Sequence, residues 1–296
     1  MESFHGEDKP RTLVVRSVFD DPWLAADYVL CRERLKAVAE GSAIAAHACG
    51  AEQIVYAVSR NEQDLGDRFL LEAAAYDVPA SVVVVGSRYP QRNSRELELV
   101  LRLYEKREEK NLGKLLFLGP ATLAAIHDAV TLKRPILDRY VAVGGSAVKK
   151  PQVMKVRLGT RIGDLFEECG GFTGKPKRIA TGSPILGRIV QGLDEPVIKT
   201  TYAVFALLDV GGGHSRNCIS CGECRAVCPV ELDPEELFKA AGSAGKDPAG
   251  RASLAKRCHG CGCCEVVCPS RLPLSAVIVN YAVNQGSVEK GEAACR

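Results

Sequence analysis

Cys218-Ile219-Ser220-Cys221-Gly222-Glu223-Cys224-Arg225-Ala226-Val227-Cys228-Pro229 sets three cysteines two residues apart, a fourth three residues further on, and a proline directly after it. The same spacing returns forty residues later at Cys258, Cys261, Cys264 and Cys268, again followed by a proline, Pro269. Three thiolates spaced in this way on a chain wrapped with small residues reach three corners of a [4Fe–4S] cube. The fourth, at the proline bend, is directed to the other cluster. The spacing therefore assigns one cluster to Cys218, Cys221, Cys224 and Cys268, and the second to Cys258, Cys261, Cys264 and Cys228. Gly222, Gly260 and Gly262 let backbone amides approach the sulfides, where hydrogen bonds raise the potential. The alternative is a pair of zinc ribbons, but these use separated C-x2-C knuckles and four tetrahedral ligands. A third cysteine and a C-P pair repeated at one offset fit that poorly. Cys263 is either a register alternative to Cys264 or a packed thiol, and the thiol is favoured. His259 is read as tuning or covering a cluster, and Cys295 as unligated.

The rest of the composition fits a packed globular chain. Of 296 residues, 46% are hydrophobic and 25% charged, with a formal net charge of +3. That near-balance argues against nucleic acid as a partner. No run is long and apolar enough for a transmembrane helix, and the amino terminus lacks the apolar core of a secretory signal. Thirteen cysteines, ten of them in the last 79 residues, do not resemble a disulfide scaffold spread through a short secreted chain. Cys31, Cys49 and Cys169 read as small buried hydrophobes.

Upstream, short β-branched runs alternate with amphipathic stretches. The runs are Thr12–Val18, Gln53–Val58, Ser81–Val85, Lys114–Leu118 and Arg139–Val143. Such runs suit strands buried on both faces of a parallel sheet, and the alternation indicates an α/β, Rossmann-like domain. A first helix is expected from Asp21-Pro22, with Leu24, Tyr28, Leu35 and Val38 on its buried face and Trp23 as a core anchor. Another starts near Asn93 with Glu96 as a capping-box partner, and a third spans Pro120–Leu132. Asn111-Leu112-Gly113-Lys114 precedes a strand and reads as a turn, not a phosphate loop. After Gly144-Gly145-Ser146, a strand at Val153–Leu158, a helix at Ile162–Cys169 and strands near Lys177–Thr181 and Val197–Leu208 suggest a small β-grasp module. The expected division is a tail at 1–10, an α/β domain at 11–147, a β-grasp module at 148–210 and a helical two-cluster ferredoxin-like domain at 211–296, entered through a Gly211-Gly212-Gly213 hinge. A helix at Pro234–Ala241, opened by Asp233, lies between the motifs. His47 and His127 read as packed or surface residues, and His214 as a possible cluster neighbour.

This order resembles the RnfC subunit of Rnf electron-transport complexes, a relative of PduS-type cobalamin reductases and of the complex I flavin subunit. Asp21-Pro22-Trp23-Leu24-Ala25-Ala26-Asp27 is similar to that family's E-P-Y-L-T-A-D, and Tyr89-Pro90-Gln91 to its Y-P-Q. Ala124–Val130 resembles its A-x-A-I-Y-D-A-V helix. Val156–Thr160 and Gly182–Gly187 resemble V-x-x-G-T and G-G-P-M-M-G of its SLBB module. The departures are as specific. The family's glycine-rich flavin and NADH loops have no counterpart here, and its Y-P-Q-G-G is replaced by Tyr89-Pro90-Gln91-Arg92-Asn93. FMN and NADH are therefore doubted in this chain. Asp21 stands where the family's acidic residue faces flavin and nicotinamide, although a helix N-cap is the plainer reading.

The resemblance implies an iron–sulfur protein that relays electrons through two [4Fe–4S] clusters. It implies as partners other subunits of a membrane-bound redox complex, with a separate flavin/NADH-binding chain as a further one. The expected location is cytoplasmic, peripheral on the inner face of the membrane. Two alternatives stand beside it: a flavin- or corrinoid-dependent NADH oxidoreductase with a modified site, and a scaffold whose clusters are structural.

Overall fold

The computed structural model describes residues 10–21, 25–183, 185, 187–208, 214–242 and 250–293, with side chains in the last helix described as far as Val283. Pro22, Trp23 and Leu24, the Gly211–Gly213 hinge and Cys295 lie outside the described residues, and so do the readings placed on them. The chain divides into two units, Met1–Val210 and Gly211–Arg296.

The first unit opens with a parallel sheet. Strands β1 (Thr12–Ser17), β2 (Gln53–Ser59), β3 (Ala80–Val85) and β4 (Leu115–Leu118) lie in the order β3-β2-β1-β4. Thr12 is in register with both Gln53 and Leu115. Alternate residues of the two central strands serve different layers, as the pleat requires. Leu13, Val15, Ile54 and Tyr56 face a core built with helices α1 (Ala26–Glu33), α2 (Leu35–Cys49), α3 (Gln63–Ala73) and α5 (Pro120–Thr131). Val14, Val55 and Ala57 face a second core with α4 (Ser94–Arg107). Both faces are covered, which explains the unbroken β-branched runs. Tyr56 stacks on Phe69 at 4.6 Å, and its hydroxyl pairs with Ser42 Oγ at 2.7 Å, so the buried ring keeps a polar partner.

The second module of this unit has a mixed sheet in the order β6-β5-β9-β7-β8. Its strands are β5 (Asp138–Gly144), β6 (Gln152–Arg157), β7 (Arg178–Thr181), β8 (Arg188–Ile189) and β9 (Ala203–Leu207). Helix α6 (Ile162–Glu168) buries Ile162, Leu165 and Phe166 against Val141, Val156 and Val204. Gly170 and Gly171 take the left-handed backbone that ends it.

Three local readings are corrected. The run Arg139–Val143 does not join the parallel sheet: β5 pairs antiparallel with β6 and parallel with β9. An apolar run shows that a strand forms but not which sheet accepts it, and the nearest strand in sequence took this one. The expected single helix is two, broken at Arg34, and the first begins after Ala25, so Asp21 is not its N-cap. The reach of Val197–Leu208 is extended only over Ala203–Leu207, and β8 has no counterpart among the expected strands. Asn93 does cap α4, accepting from the Arg95 amide at 3.0 Å.

The second unit is helical: α7 (Glu223–Ala226), α8 (Pro234–Gly242), α9 (Arg251–Ala255), α10 (Cys263–Val266) and α11 (Leu274–Ala293). Asp233 Oδ1 accepts from the Glu236 amide at 3.2 Å and so opens α8 as expected. Among the described residues, no helix is long and apolar enough to cross a membrane.

Two features of the first unit yield predictions. A Cβ on Gly41 of α2 would lie 2.0 Å from the Leu123 carbonyl oxygen of α5, so backbone must give way. Gly41→Val should destabilise the full chain by about 2 kcal/mol or more, read by chemical denaturation. Arg34, at the α1/α2 break, holds Asp128 of α5 by two hydrogen bonds of 2.6 and 3.0 Å. With His127 it holds the Asp128 carboxyl down to about 2. A depressed carboxyl stabilises the fold above its unfolded pKa and loses that contribution as pH falls through the folded value. The stability gap between wild type and Asp128→Asn should thus be full at about pH 5 and vanish near pH 2.

Candidate functional site

In the second unit the forty-residue repeat is a repeat of backbone. Gly222 and Gly262 both have φ of 78° at the entry to α7 and α10, and Glu231 and Arg271 turn with φ of 52° and 54°. Ser220 and Gly260 are left-handed at matching places, with φ of 53° and 62°. Each turn aims an amide at sulfur: Ser220 N donates to Cys218 Sγ and Gly260 N to Cys258 Sγ, both at 3.4 Å. Leu232 N donates to Cys228 Sγ at 3.3 Å. Such donors stabilise charge on a thiolate.

The cysteines line two cavities. Cys218, Cys221 and Cys224 line the first together with Cys268 from the second motif. Cys258, Cys261 and Cys264 line the second together with Cys228 from the first motif, with Cys263 and His259 in its wall. These are the two sets that the spacing assigned. The wall between and behind them is apolar, with Leu232, Leu237, Leu272, Leu274 and Ile278 buried. Among the described residues, no three His, Cys, Asp or Glu side chains converge tightly enough for a single metal ion. The cysteines surround two spaces instead, which fits a polynuclear group better than a zinc tetrahedron with bonds of roughly 2.3 Å.

The sites differ in exposure. Cys218 and Cys221 are exposed, Cys224 and Cys264 buried, and the remaining four half-buried. Burial pushes the Cys264 thiol up to about 12, and burial with nearby Cys261 does the same to Cys263. A metal must displace the Cys264 proton, so loading is favoured by rising pH. His214 is exposed and His47 likewise, while His127 pairs with Asp128 at 2.9 Å. Cys31 and Cys169 are fully buried and Cys49 half-buried, and burial pushes the first two thiols up. Two residues outside the sequence-derived set, Glu235 and Lys239, line the first cavity. The sequence does carry a signal for them: they lie four apart on the helix that follows the first C-P.

In the first unit, the carboxyl end of β1 is where a parallel α/β sheet offers a ligand crevice. Asp20, Asp21 and Asp27 are buried there. Arg92 donates from its backbone to Asp20 Oδ2 at 2.8 Å and from its guanidinium to Asp27 Oδ2 at 2.5 Å. Its guanidinium also lies 5.8 Å from the Tyr202 ring centroid. Arg16 donates to Ser94 Oγ at 3.1 Å, and burial lowers its pKa. Asp21 accepts from Ser183 Oγ at 3.0 Å, which ties β1 to the second module. Burial raises the Asp20 carboxyl despite the Arg92 amide. Among the described residues, no glycine-rich turn connects a strand of this sheet to its helix. The described residues there are joined by hydrogen bonds and one ion pair, Arg92–Asp27, and offer no glycine-rich backbone of the kind that approaches a phosphate closely.

Comparison with known proteins places three family models along the chain. Residues 3–115 match the Nuo51 FMN-binding domain, residues 140–189 the SLBB domain and residues 214–272 a 4Fe-4S dicluster domain. The first match sets the doubt over FMN against a family named for binding it. The chain is 31% identical over 231 residues to the C subunit of the ion-translocating oxidoreductase complex of Rhodobacter capsulatus, covering 76% of this chain and 44% of that protein. It is 29% identical over 224 residues to the C subunit of the proton-translocating ferredoxin:NAD(+) oxidoreductase complex of Clostridium ljungdahlii, covering 73% and 48%. The chain thus spans less than half the length of these curated relatives. A solved NAD+-reducing [NiFe]-hydrogenase chain shares the fold at a TM-score of 0.56 and 15% identity, covering 85% of this chain and 48% of that one. With the three models in order and similarity over three quarters of its length, the chain belongs to the RnfC-like family, the C subunits of ion-translocating oxidoreductase complexes.

Proposed function

We propose that this chain is an iron–sulfur electron relay within a multisubunit, membrane-associated ferredoxin:NAD oxidoreductase complex, attached peripherally to its membrane subunits. The observation that carries the reading is the crossed lining of the two cavities, in which each motif supplies three cysteines to one and its fourth to the other. On this reading Cys218, Cys221, Cys224 and Cys268 hold one [4Fe–4S] cluster, and Cys258, Cys261, Cys264 and Cys228 hold the second. The clusters supply one-electron storage when bound. The thiolates hold them, and the amides of Ser220, Gly260 and Leu232 offset the negative charge at sulfur. The buried leucines and Ile278 keep water from the inner faces.

Flavin belongs elsewhere in this reading. The Arg92–Asp27 ion pair, the Arg92 amide bond to Asp20 and the Asp21–Ser183 bond stand at the end of β1, where a nucleotide phosphate would need glycine. NADH delivers electrons in pairs and a cluster takes one, so a flavin must stand between them, held by another chain or segment.

The test is anaerobic reconstitution of the full chain. The wild type should bind about eight irons, bleach with dithionite and recover in air, and remain unbleached by NADH. Cys218→Ser and Cys268→Ser should each remove about four irons and abolish the same paramagnetic signal, although they lie in different motifs. Loss of the same signal from Cys268→Ser and Cys258→Ser would show uncrossed cages. Bleaching by NADH alone would establish a flavin site in this chain.

A further inference from the structure

The two cavities are matched at most positions of the forty-residue offset, and they differ in chemistry on the helices that close them. Residues 268, 269, 270, 272 and 274 line the first cavity, and their counterparts 228, 229, 230, 232 and 234 line the second. Glu235 and Lys239 of α8 line the first cavity as well. Their counterparts on α11 are Ser275 and Val279. The backbone turns agree, but the charge does not.

The charged residues are wired to the first cysteine of their motif. Ser220 donates its amide to Cys218 Sγ at 3.4 Å and its hydroxyl to Glu235 Oε1 at 2.6 Å. Lys239 Nζ donates to the same carboxylate oxygen at 2.5 Å. Glu235 and Lys239 both line the cavity that Cys218 lines; the carboxylate is joined to that cysteine through Ser220, and the ammonium is joined through the carboxylate. The second half replaces this arrangement with packing. Gly260 stands where Ser220 does, a Cβ on it would lie 3.4 Å from Val279 Cγ2, and Ser275, which lines the second cavity, donates its hydroxyl to Glu265 at 2.6 Å.

We propose that the Glu235–Lys239 pair is a tuning element that helps separate the reduction potentials of the two clusters, with the Glu235 carboxylate holding the exposed one lower. This rests on the reading of Cys218, Cys221, Cys224 and Cys268 as one cluster's ligands. Reduction adds one electron to the cluster without making or breaking a bond. A fixed carboxylate at a ligating sulfur opposes that added charge, and a fixed ammonium favours it. Both are positioning residues, since neither is a ligand.

The two members of the pair predict opposite signs, which a merely structural role would not. In paramagnetic-resonance redox titrations of the reconstituted full chain, Glu235→Gln keeps an acceptor for Ser220 but loses the charge. It should raise the first cluster's potential, changing its reduced-to-oxidised ratio at fixed poise by roughly threefold or more. Lys239→Met should lower it, and Lys239→Arg should restore it. The paired exchange Glu235→Ser with Lys239→Val should bring the two clusters closer together. The second cluster should stay in place throughout. Shifts of the same sign, shifts shared equally by both clusters, or no shift with full iron content would overturn the assignment of the pair. Failure of the cluster reading is separately visible: a wild-type chain without iron, or a first signal that survives Cys268→Ser, overturns the ligand set itself.

Discussion

Cys228 and Cys268 each follow a short helix out of their own motif and end in the wall of the other motif's cavity. Everything in the second unit answers to that exchange. The left-handed turns at Gly222 and Gly262 open the two short helices with the same φ of 78°, and a proline follows each crossing cysteine. A unit of 86 residues with a modest set of buried leucines has little core of its own. In the proposed reading the crossed thiolates supply what the core lacks, since metal affinity in such a unit is also folding free energy. The cages and the fold are then one property.

The first unit is organised around a different constraint. Its parallel sheet is covered on both faces, and α1 also packs against the second sheet through Ala26, with Ala142, Ala203 and Phe205. The charged residues at the end of β1 are therefore enclosed between two modules. The buried aspartates there each have a polar partner: Asp27 the Arg92 guanidinium, Asp20 the Arg92 amide and Asp21 the Ser183 hydroxyl.

Much of this was legible in the sequence because it rests on local chemistry. Cysteine spacing grouped the thiols as the two cavity linings do, since three-residue steps and a proline bend limit where a thiol can reach. β-branched runs gave the strands of the covered sheet, and Asn93 and Asp233 gave their helix starts. What remained hidden depends on distant partners. The sheet that takes β5 is chosen by its neighbour β6, and the break at Arg34 goes with an ion pair to Asp128, 94 residues away. Asp21 suggested a cap because of Pro22, whereas its bonded partner is Ser183, 162 residues on. Glu235 and Lys239 were readable as a helical pair, but their place in a cavity wall needed the folded helix.

Helix α7 carries one further implication. Cys224 lines the first cavity and Cys228 the second, and only a single helical turn, about 6 Å of rise, lies between them. The gap across which an electron would hop is thus spanned by covalent geometry and cannot widen when neighbouring parts of an assembly move. In a complex whose components rearrange during turnover, the internal step would run at a constant pace. On the proposed reading, timing of the flow would then be imposed at its outer ends, where another protein approaches or withdraws.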